Sequence, residues 1–280
     1  MKQLPDLKQL QKKAAQIRMD LLEMIYMAGG GHAGGSLSSV DILVALHYGI
    51  MKLDAKHPER TDRDRFVLSK GHSVEGYYAI LADLGFFPKE ELRTYRKFHS
   101  RLMGHPSNQL PCIDVNTGSL GHGLSIGAGM ALAGKMDQKD YYVYVLMGDG
   151  EQAEGSVWEA AMAASHYQLD HLTGIIDRNR LQISGNTEQV MALESLKDKW
   201  ASFGWEVLEV ADGNNMEDLL TAFRGISSGG HRPHLVIANT IKGKGVSFME
   251  DQPQWHHKVP TEAEMKQARK ELQTQIREAG

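Results

Sequence analysis

The segment Val143–Ala164, VYVLMGDGEQAEGSVWEAAMAA, joins an apolar run, an acidic turn and a stretch with helical spacing. The run Val143–Met147 is typical of a strand that is buried on both faces, and it stops abruptly at Gly148-Asp149-Gly150. After the turn, apolar residues recur at the spacing of a helix. This order predicts one strand-turn-helix unit of an α/β fold, with a carboxylate at the carboxyl end of the strand.

The rest of the C-terminal half repeats this alternation of strand and helix. The candidate strands are nearly continuous apolar runs, at 142–147, 172–177, 205–210 and 235–240. Helical patterns separate them, at 155–167, 193–203 and 215–228. Such strands, joined by helices, are typical of a parallel sheet that is covered on both faces. The sequence therefore predicts an α/β fold with a doubly wound, mostly parallel sheet and helices on both faces, in a single domain over residues 1–280.

The N-terminal half reads as helices interrupted by glycine-rich loops. An amphipathic helix is predicted over 6–28, and a buried helix over 36–51 in which Ser38 and Asp41 have the spacing of a capping box. The remaining predicted elements are a short strand within 64–73, helices over 73–84 and 88–98, a glycine-rich loop leading into a helix within 116–136, and a polar helix over 261–278.

The composition excludes several classes of protein. Hydrophobic residues make up 41% of the chain and charged residues 24%, as in an ordinary globular protein. A net charge of -4 without a basic block gives no reason to expect a nucleic-acid partner. No apolar run is long enough for a membrane span, and the first residues do not resemble a secretion signal. Cys112 is the only cysteine, so an intrachain disulfide is impossible, and we expect a cytoplasmic protein.

Asp149 occupies the place where parallel sheets bind ligands, beyond the carboxyl end of a strand. The flanking glycines allow a sharp turn and a close approach of a ligand. The helix that follows would direct unpaired N–H groups towards the same place, which suits a phosphate. Because a carboxylate beside a phosphate would repel it, we expect a cation between them, and Mg²⁺ is the usual choice.

A second metal ligand should come from the end of the neighbouring strand. Asn179 follows the next predicted strand, and its amide oxygen would add no further negative charge. The backbone carbonyl of Leu181 is a candidate third ligand. An aspartate between glycines is often only a turn, but the pairing of Asp149 with Asn179 favours a metal site.

Histidines stand beside glycine or proline in several predicted loops. They are His32, His72, His105 and His122, and a further loop carries the pair His256-His257 after Trp255. A single loop histidine usually lies on the surface. The recurrence favours a shared role, since imidazole binds phosphates and hydroxyls and moves protons near neutral pH.

Taken together, these segments resemble the transketolase family. GDGEQAEG followed by DRN is similar to the thiamine diphosphate binding motif. The other segments that resemble transketolases occur in family order, from about residue 28 to residue 260: GGHAGGSLS, FVLSKGHS, GHPS, DVNTGSLGHGLSIGAGMA, IKGKGVSFMED and WHHK. The resemblance is to the diphosphate-binding domain, and it implies the thiamine diphosphate binding fold.

The resemblance also implies roles for individual residues. Catalytic contacts with a ketose are implied for His32, His105 and His256. Cofactor contacts are implied for His72, Gly118, Leu120, Gly148, Asp149, Gly150, Glu151, Asn179 and His256. Metal ligation is implied for Asp149, Asn179 and Leu181. Glu154 resembles an acid that couples two active sites across a subunit interface, whereas His122 departs from the glutamine found in many transketolases.

The implied activity is the transfer of a two-carbon ketol unit from a ketose phosphate to an aldose acceptor, with thiamine diphosphate and Mg²⁺, as in the pentose phosphate pathway. The chain contains nothing that resembles the pyrimidine-binding and C-terminal domains of a full transketolase. We therefore expect the N-terminal subunit of a split transketolase, with a partner subunit supplying those domains in an α2β2 heterotetramer. The donor and acceptor sugars are not predicted.

Two alternatives remain at this stage. The α subunit of a 2-oxo acid dehydrogenase also carries Gly-Asp-Gly and a later asparagine. The set His32, His72, His105 and His256 argues against it, because these side chains suit a polyhydroxylated sugar. The other alternative is a non-catalytic binding subunit, against which the presence of the whole predicted residue set argues.

Overall fold

A five-stranded, wholly parallel sheet forms the frame of the computed structural model, which describes residues 6–226 and 229–280. Across the sheet the strands are β1 (Arg65–Leu68), β2 (Val143–Gly148), β3 (Leu172–Arg178), β7 (His234–Asn239) and β6 (Glu206–Val210). Two further strands, β4 (Leu181–Gln182) and β5 (Gly185–Asn186), form a small antiparallel hairpin beyond β3.

Helices cover both faces of the sheet. Those on one face are α1 (Leu7–Ala28), α2 (Ala33–Ser38), α3 (Val40–Val44), α4 (Val74–Asp83), α9 (Met216–Arg224) and α10 (Glu262–Glu278). Those on the other face are α5 (Gly123–Met136), α6 (Gly155–His166) and α8 (Leu196–Ser202). A short helix, α7 (Thr187–Val190), follows the hairpin.

Alternate residues of β2 reach the two halves of the core. Val143, Val145 and Met147 pack with the helices of one face, and Tyr144 and Leu146 pack with those of the other. All five are buried, as expected where successive side chains of a strand point to opposite faces. The predicted doubly wound α/β fold is confirmed, and the main sheet is parallel throughout.

Most predicted elements agree with the structure to within a few residues. All five predicted strands form, and so do the helices predicted over 6–28, 73–84, 155–167 and 261–278. The helix within 116–136 begins at Gly123. The helix predicted over 193–203 is the shorter α8, and the one predicted over 215–228 ends at Arg224, with residues 227 and 228 outside the described part of the chain.

The capping box predicted at Ser38 and Asp41 is wrong. The Ser38 hydroxyl hydrogen-bonds to the backbone carbonyl of Gly35 and to Asp177 Oδ2, while Asp41 forms a buried ion pair with Arg18. The helix expected over 36–51 is divided into α2, α3 and a π-helical turn, and Ser38 and Asp41 bond within α2 or to other elements in place of forming a cap.

The helix predicted over 88–98 is also wrong. Only a 3₁₀ segment forms, Lys89–Thr94, and the chain then turns through Arg96 and His99 with φ values of 57° and 63°. A left-handed backbone at these positions is incompatible with a continuing helix.

Candidate active site

A cavity of about 390 Å³ opens at the carboxyl ends of β2 and β3. Its lining combines the ends of these strands with loops from the rest of the chain. The lining residues that the sequence predicted are His32, His72, Gly118, Leu120, Gly148, Asp149, Gly150, Glu151, Asn179 and His256. Those that it did not predict as site residues are Gly35, Lys70, Gln182, Ile183, Ser184 and Lys242. The glycine-flanked acid of the opening segment thus lies on the wall of a cavity.

Asp149 is 3% exposed and is held by backbone donors. Its Oδ1 accepts the N–H of Gly150 at 2.8 Å, and its Oδ2 accepts the N–H of Arg180 at 2.5 Å. The Arg178 guanidinium lies 3.3 Å from Oδ2. Burial raises the pKa of the Asp149 carboxyl and the negative charge of Asp177 adds to the rise, while the Arg178 charge opposes both. A cation beside this carboxylate would favour its charged form.

The other two predicted metal ligands follow β3. Asn179 is buried, and its Oδ1 accepts the N–H of Leu181 at 3.1 Å. The Leu181 carbonyl accepts a hydrogen bond from Lys242 Nζ at 3.1 Å, although Leu181 does not line the cavity. Arg180 lies between these two residues and donates its backbone N–H to Asp149, so the chain that follows β3 begins against the carboxylate.

The donor set suits a hard divalent cation. A carboxylate oxygen, an amide oxygen and a backbone carbonyl are the ligands that Mg²⁺ prefers, with water and phosphate completing the shell. The Asp149 carboxylate has about four acceptor positions, and protein donors occupy three of them. Asn179 Oδ1 and the Leu181 carbonyl each have two acceptor positions, and a protein donor occupies one. Each therefore keeps a lone pair. Within residues 6–226 and 229–280 no group of three or more His, Cys, Asp or Glu side chains is arranged for a metal.

Two buried lysines line the cavity. Lys70 pairs with Asp177 Oδ2 and also donates to the Gly35 carbonyl at 3.0 Å. Lys242 lies 3.1 Å from Nδ1 of His256. Burial lowers the pKa of Lys242 to about 8, and the charge of Lys70 contributes to the shift. Lys70 lies in FVLSKGHS and Lys242 in IKGKGVSFMED. No spacing rule marks either lysine as a site residue, because their role depends on which strand ends are adjacent.

Three histidine rings cluster at one side of the cavity. The centroids of His32 and His72 lie 5.3 Å apart, those of His72 and His256 also 5.3 Å, and those of His32 and His256 5.6 Å. Burial lowers the pKa of His32 to about 4 and that of His256 to about 3, with neighbouring positive charges adding to each shift. The pKa of His72 is also well below its usual value for the same reason. The three rings are neutral at pH 7 and able to accept or donate a hydrogen bond.

Glu75 fixes the loop that carries His32, and no sequence pattern marks it as a site residue. Glu75 is fully buried, and its carboxylate accepts the backbone N–H of His32 at 2.9 Å. It also accepts the hydroxyls of Ser36 at 2.6 Å and Tyr95 at 2.7 Å. Nδ1 of His32 is buried without a partner among the described residues, so this ring has an unused polar atom.

His105 lies just outside the cavity wall. Its side chain is exposed, but its ring lies against Gly118, where an added Cβ would be 2.9 Å from His105 Cδ2. Gly118 has a φ of 148°, in a region that favours glycine. His105 therefore supports the loop whose carbonyl was predicted to bind the cofactor.

Glu151 directs its carboxylate into the protein. It accepts hydrogen bonds from Ser69 Oγ, from the N–H of Gly121 at 2.8 Å and from the N–H of Gly148 at 3.0 Å. Burial raises its pKa. It joins the ends of two loops, and a direct contact with a cofactor stays a prediction.

Two further predicted residues lie outside the cavity. His122 is exposed, with Nδ1 3.0 Å from the Leu120 carbonyl, and Glu154 is exposed beside Gly121. Neither lines the cavity. Their exposure leaves them available to another chain.

The position of the cavity, at the carboxyl end of a doubly wound parallel sheet, defines a ligand-binding α/β protein. Residues 9–278 match the family model described as transketolase, thiamine diphosphate binding domain. The chain belongs to this family. Among the described residues, no helix combines the length and the apolar character that a membrane crossing requires.

Relatives of two kinds match the chain. It is 52% identical to an apulose-4-phosphate transketolase subunit of Phocaeicola vulgatus, over 95% of each chain. It is 43% identical to a 6-deoxy-6-sulfo-D-fructose transketolase subunit of Clostridium sp. (strain MSTE9), over 94% of this chain and 96% of that one. Human transketolase is 38% identical over 96% of this chain, but the match covers only 43% of the human protein.

Solved transketolases have the same fold. The Pichia stipitis enzyme in complex with sedoheptulose 7-phosphate superimposes with a TM-score of 0.88 at 30% identity, over 94% of this chain and 41% of that one. The Campylobacter jejuni enzyme gives 0.87 at 30% identity, over 96% and 45%. The chain thus spans less than half the length of these solved relatives.

Proposed function

We propose that this chain is the diphosphate-binding subunit of a split transketolase, which moves a two-carbon ketol unit between sugars with thiamine diphosphate and Mg²⁺. The observation that carries the proposal is the joint position of Asp149, Asn179, two lysines and three neutral histidines around one cavity. The match to subunit-length transketolase relatives over nearly the whole chain supports it.

The cation would sit between Asp149, Asn179 and the Leu181 carbonyl on one side and the diphosphate on the other. Lys242 and His256 would bind the anion, and His72 would do so as a neutral donor. The Gly150 N–H would join them after giving up its bond to Asp149 Oδ1. Gly118, Leu120, Gly148 and Glu151 would complete the wall around the cofactor.

When bound, thiamine diphosphate supplies a carbon nucleophile and an electron sink for cleaving a bond next to a carbonyl. The neutral rings of His32 and His256 would hydrogen-bond the carbonyl and hydroxyls of the ketose and accept or return its protons. Their lowered pKa values keep both rings uncharged at neutral pH, so that each ring has a nitrogen lone pair for a hydrogen bond. His105 would contact the sugar from the rim.

The partner would supply the pyrimidine-binding and C-terminal domains. Relatives that this chain matches over 95–96% of their length carry subunit names, whereas human transketolase is matched over 43% of its length. We propose that residues 1–280 act as a single domain in an α2β2 assembly, with Glu154 at an interface between subunits. A cytoplasmic location remains a prediction from the single, buried Cys112.

The substrates would be ketoses and aldoses that carry an anionic group. The names of two relatives specify apulose 4-phosphate and 6-deoxy-6-sulfo-D-fructose, sugars that bear a phosphate and a sulfonate. The cavity of this chain holds the groups for the reacting end of the sugar, and we propose that the partner recognises its anionic end. The partner would therefore determine which donor and acceptor sugars the enzyme uses, and in which pathway.

The test combines the chain with candidate partner subunits. Ketol transfer from ketose phosphates should appear only in the mixture, and decarboxylation of 2-oxo acids should be absent. Asp149→Asn should weaken Mg²⁺-dependent cofactor binding by about 10–100-fold. Asp62→Asn, an exposed acid before the amino end of β1, is the matched control and should bind as the wild type does. Turnover by the chain alone, or an unaffected Asp149→Asn, would refute the proposal.

A further inference from the structure

We propose that Arg178 is a positioning residue that joins the segment 187–196 to the Asp149 carboxylate, so that the order of this segment and the binding of Mg²⁺ with thiamine diphosphate depend on each other. The segment consists of α7 and the turn that leads into α8. The inference rests on the proposed function, because it assigns the cation to Asp149.

Arg178 is the last residue of β3, and only 2% of its side chain is exposed. One arm of the guanidinium, Nη1, lies 3.3 Å from Asp149 Oδ2 and 2.7 Å from Thr187 Oγ1. The other arm, Nη2, donates to Glu188 Oε1 at 2.7 Å and to Glu194 Oε1 at 3.0 Å. One buried fork therefore bonds the candidate metal ligand and three side chains of the following segment.

The two glutamates extend the connection into the backbone. The Glu188 carboxylate accepts the N–H groups of Leu193 at 3.2 Å and of Glu194 at 3.3 Å. The Glu194 Oε2 accepts the N–H of Leu196 at 3.3 Å. The carboxylates that hold the guanidinium thus also close the turn between α7 and α8.

The same segment is continuous with the cavity wall. The N–H of Thr187 donates to the Arg180 carbonyl at 2.9 Å, and the N–H of Arg180 donates to Asp149 Oδ2. Between them, the hairpin of β4 and β5 contributes Gln182, among other residues, to the lining. Movement of the segment would therefore displace the cavity wall. It would also displace Leu181, whose carbonyl is the predicted third metal ligand.

Asp149 has little freedom to bind a cation in more than one way. Its carboxylate has about four acceptor positions, and Gly150, Arg180 and Arg178 use three of them. Two of the three fill Oδ2, so Arg178 helps to direct a metal to Oδ1, where a further position opens if the Gly150 N–H turns to the diphosphate. Coupling between two sites is reciprocal, so a ligand that needs this arrangement also stabilises the segment that maintains it.

Simple charge neutralisation is the competing explanation. If Arg178 only offsets the negative charge of Asp149, a lysine would replace it. If the planar fork holds four partners at once, Lys has too few donors in the right geometry and will not rescue. Glu188 and Glu194 separate the two explanations further, since neither lines the cavity and their effect on binding must pass through the segment and the fork that they hold.

The first experiment measures amide hydrogen exchange of the full chain without ligands. Arg178→Met should raise the rate of amide hydrogen exchange in 187–196 by about 10-fold, because the segment would open locally. The exchange rates in β2 and β3 should stay unchanged. Arg63→Met is the matched control, because it removes another buried arginine that forms a two-point pair with an aspartate, Asp114, away from the cavity. Unchanged exchange in 187–196 would overturn the inference.

The second experiment measures binding of Mg²⁺ with thiamine diphosphate. The double variant Glu188→Gln/Glu194→Gln keeps the buried Arg178–Asp149 pair, so it remains informative if Arg178→Met fails to fold. It should raise Kd by about 10-fold, and Arg178→Lys should not restore wild-type affinity. Addition of the ligands should slow exchange in 187–196 of the wild type.

The outcomes separate the two proposals. A wild-type chain that binds the ligands, together with a double variant of equal affinity or a full rescue by lysine, would overturn this inference and leave the proposed function intact. A wild-type chain that binds neither ligand, alone or with its partner, would overturn both.

Discussion

The carboxylate of Glu75 accepts the backbone N–H of His32 at 2.9 Å, so a fully buried acid fixes the loop that carries a candidate catalytic histidine. The same carboxylate bonds two hydroxyls, from Ser36 and Tyr95. No lysine or arginine in the described part of the chain hydrogen-bonds it, and these three donors make its hydrogen bonds there. The position of His32 therefore depends on a network that lies behind the cavity.

We expect Glu75→Ala to lower the free energy of unfolding by about 3 kcal/mol, because three donors lose a charged acceptor. It should also lower kcat of the assembled enzyme, since the His32 loop is released. Tyr95→Phe removes one of the three bonds and should lower stability by only about 1 kcal/mol. Urea denaturation measures both variants, and equal losses would show that Glu75 does not act through all three bonds.

The lowered pKa of His32 predicts a pH dependence of stability. Because burial lowers this pKa from 6.5 to about 4, the folded state binds fewer protons than the unfolded state between these values. The contribution of the neutral ring is complete above pH 6.5 and is lost as the pH falls towards 4. His32→Gln should reduce the loss of stability between pH 7.5 and pH 5 by about 1 kcal/mol, after allowing for partial exposure. The same loss in the variant and in the wild type would contradict this assignment.

Lys70 and Asp177 form a buried ion pair beneath the cavity. Lys70→Met leaves Asp177 charged, with Ser38 and Thr240 as its remaining hydroxyl donors, so we expect the free energy of unfolding to fall by about 3–5 kcal/mol. Adding Asp177→Asn should recover much of this loss, because the uncompensated charge is removed. Thermal and urea unfolding of the single and double variants test the prediction, which fails if the second substitution destabilises further.

Gly118 and Gly29 form a matched pair for a test of the cofactor loop. An alanine at Gly118 would meet the His105 ring at 2.9 Å in addition to straining a backbone with φ of 148°. Gly29, at the C-terminal end of α1, has φ of 64° and open space around it. We expect Gly29→Ala to lower stability by about 1–2 kcal/mol through backbone strain alone. Gly118→Ala should also weaken cofactor binding, and calorimetry that finds equal affinity in both variants would refute this role.

The sheet could be predicted from the sequence because its signal is local. The run Val143–Met147 is apolar on both faces, and such a run followed by a glycine-rich turn and a helix has few alternative structures. Where the prediction was wrong, the local sequence pattern and the tertiary contacts favour different structures. Ser38 and Asp41 have the spacing of a cap, but buried partners from other elements take their hydrogen bonds.

The candidate site was predictable where residue type and position carried the information. Asp149 and Asn179 follow apolar strands directly, so their shared edge of the sheet could be inferred. Glu75 and Arg178 could not be found in this way. A glutamate within a helical pattern and an arginine beside an aspartate are ordinary surface residues until the fold buries them.

The parallel register of the sheet limits how such a site can change. Gly148 of β2 is paired with Asp177 of β3, and Arg178 of β3 with Asn239 of β7. A slip of one residue would exchange the two faces of a strand, so the side chains of Asp177 and Arg178 would each move to the opposite face of the sheet. Insertions inside the strands are thus barred, and diversification of this scaffold must proceed through the loops at its rim.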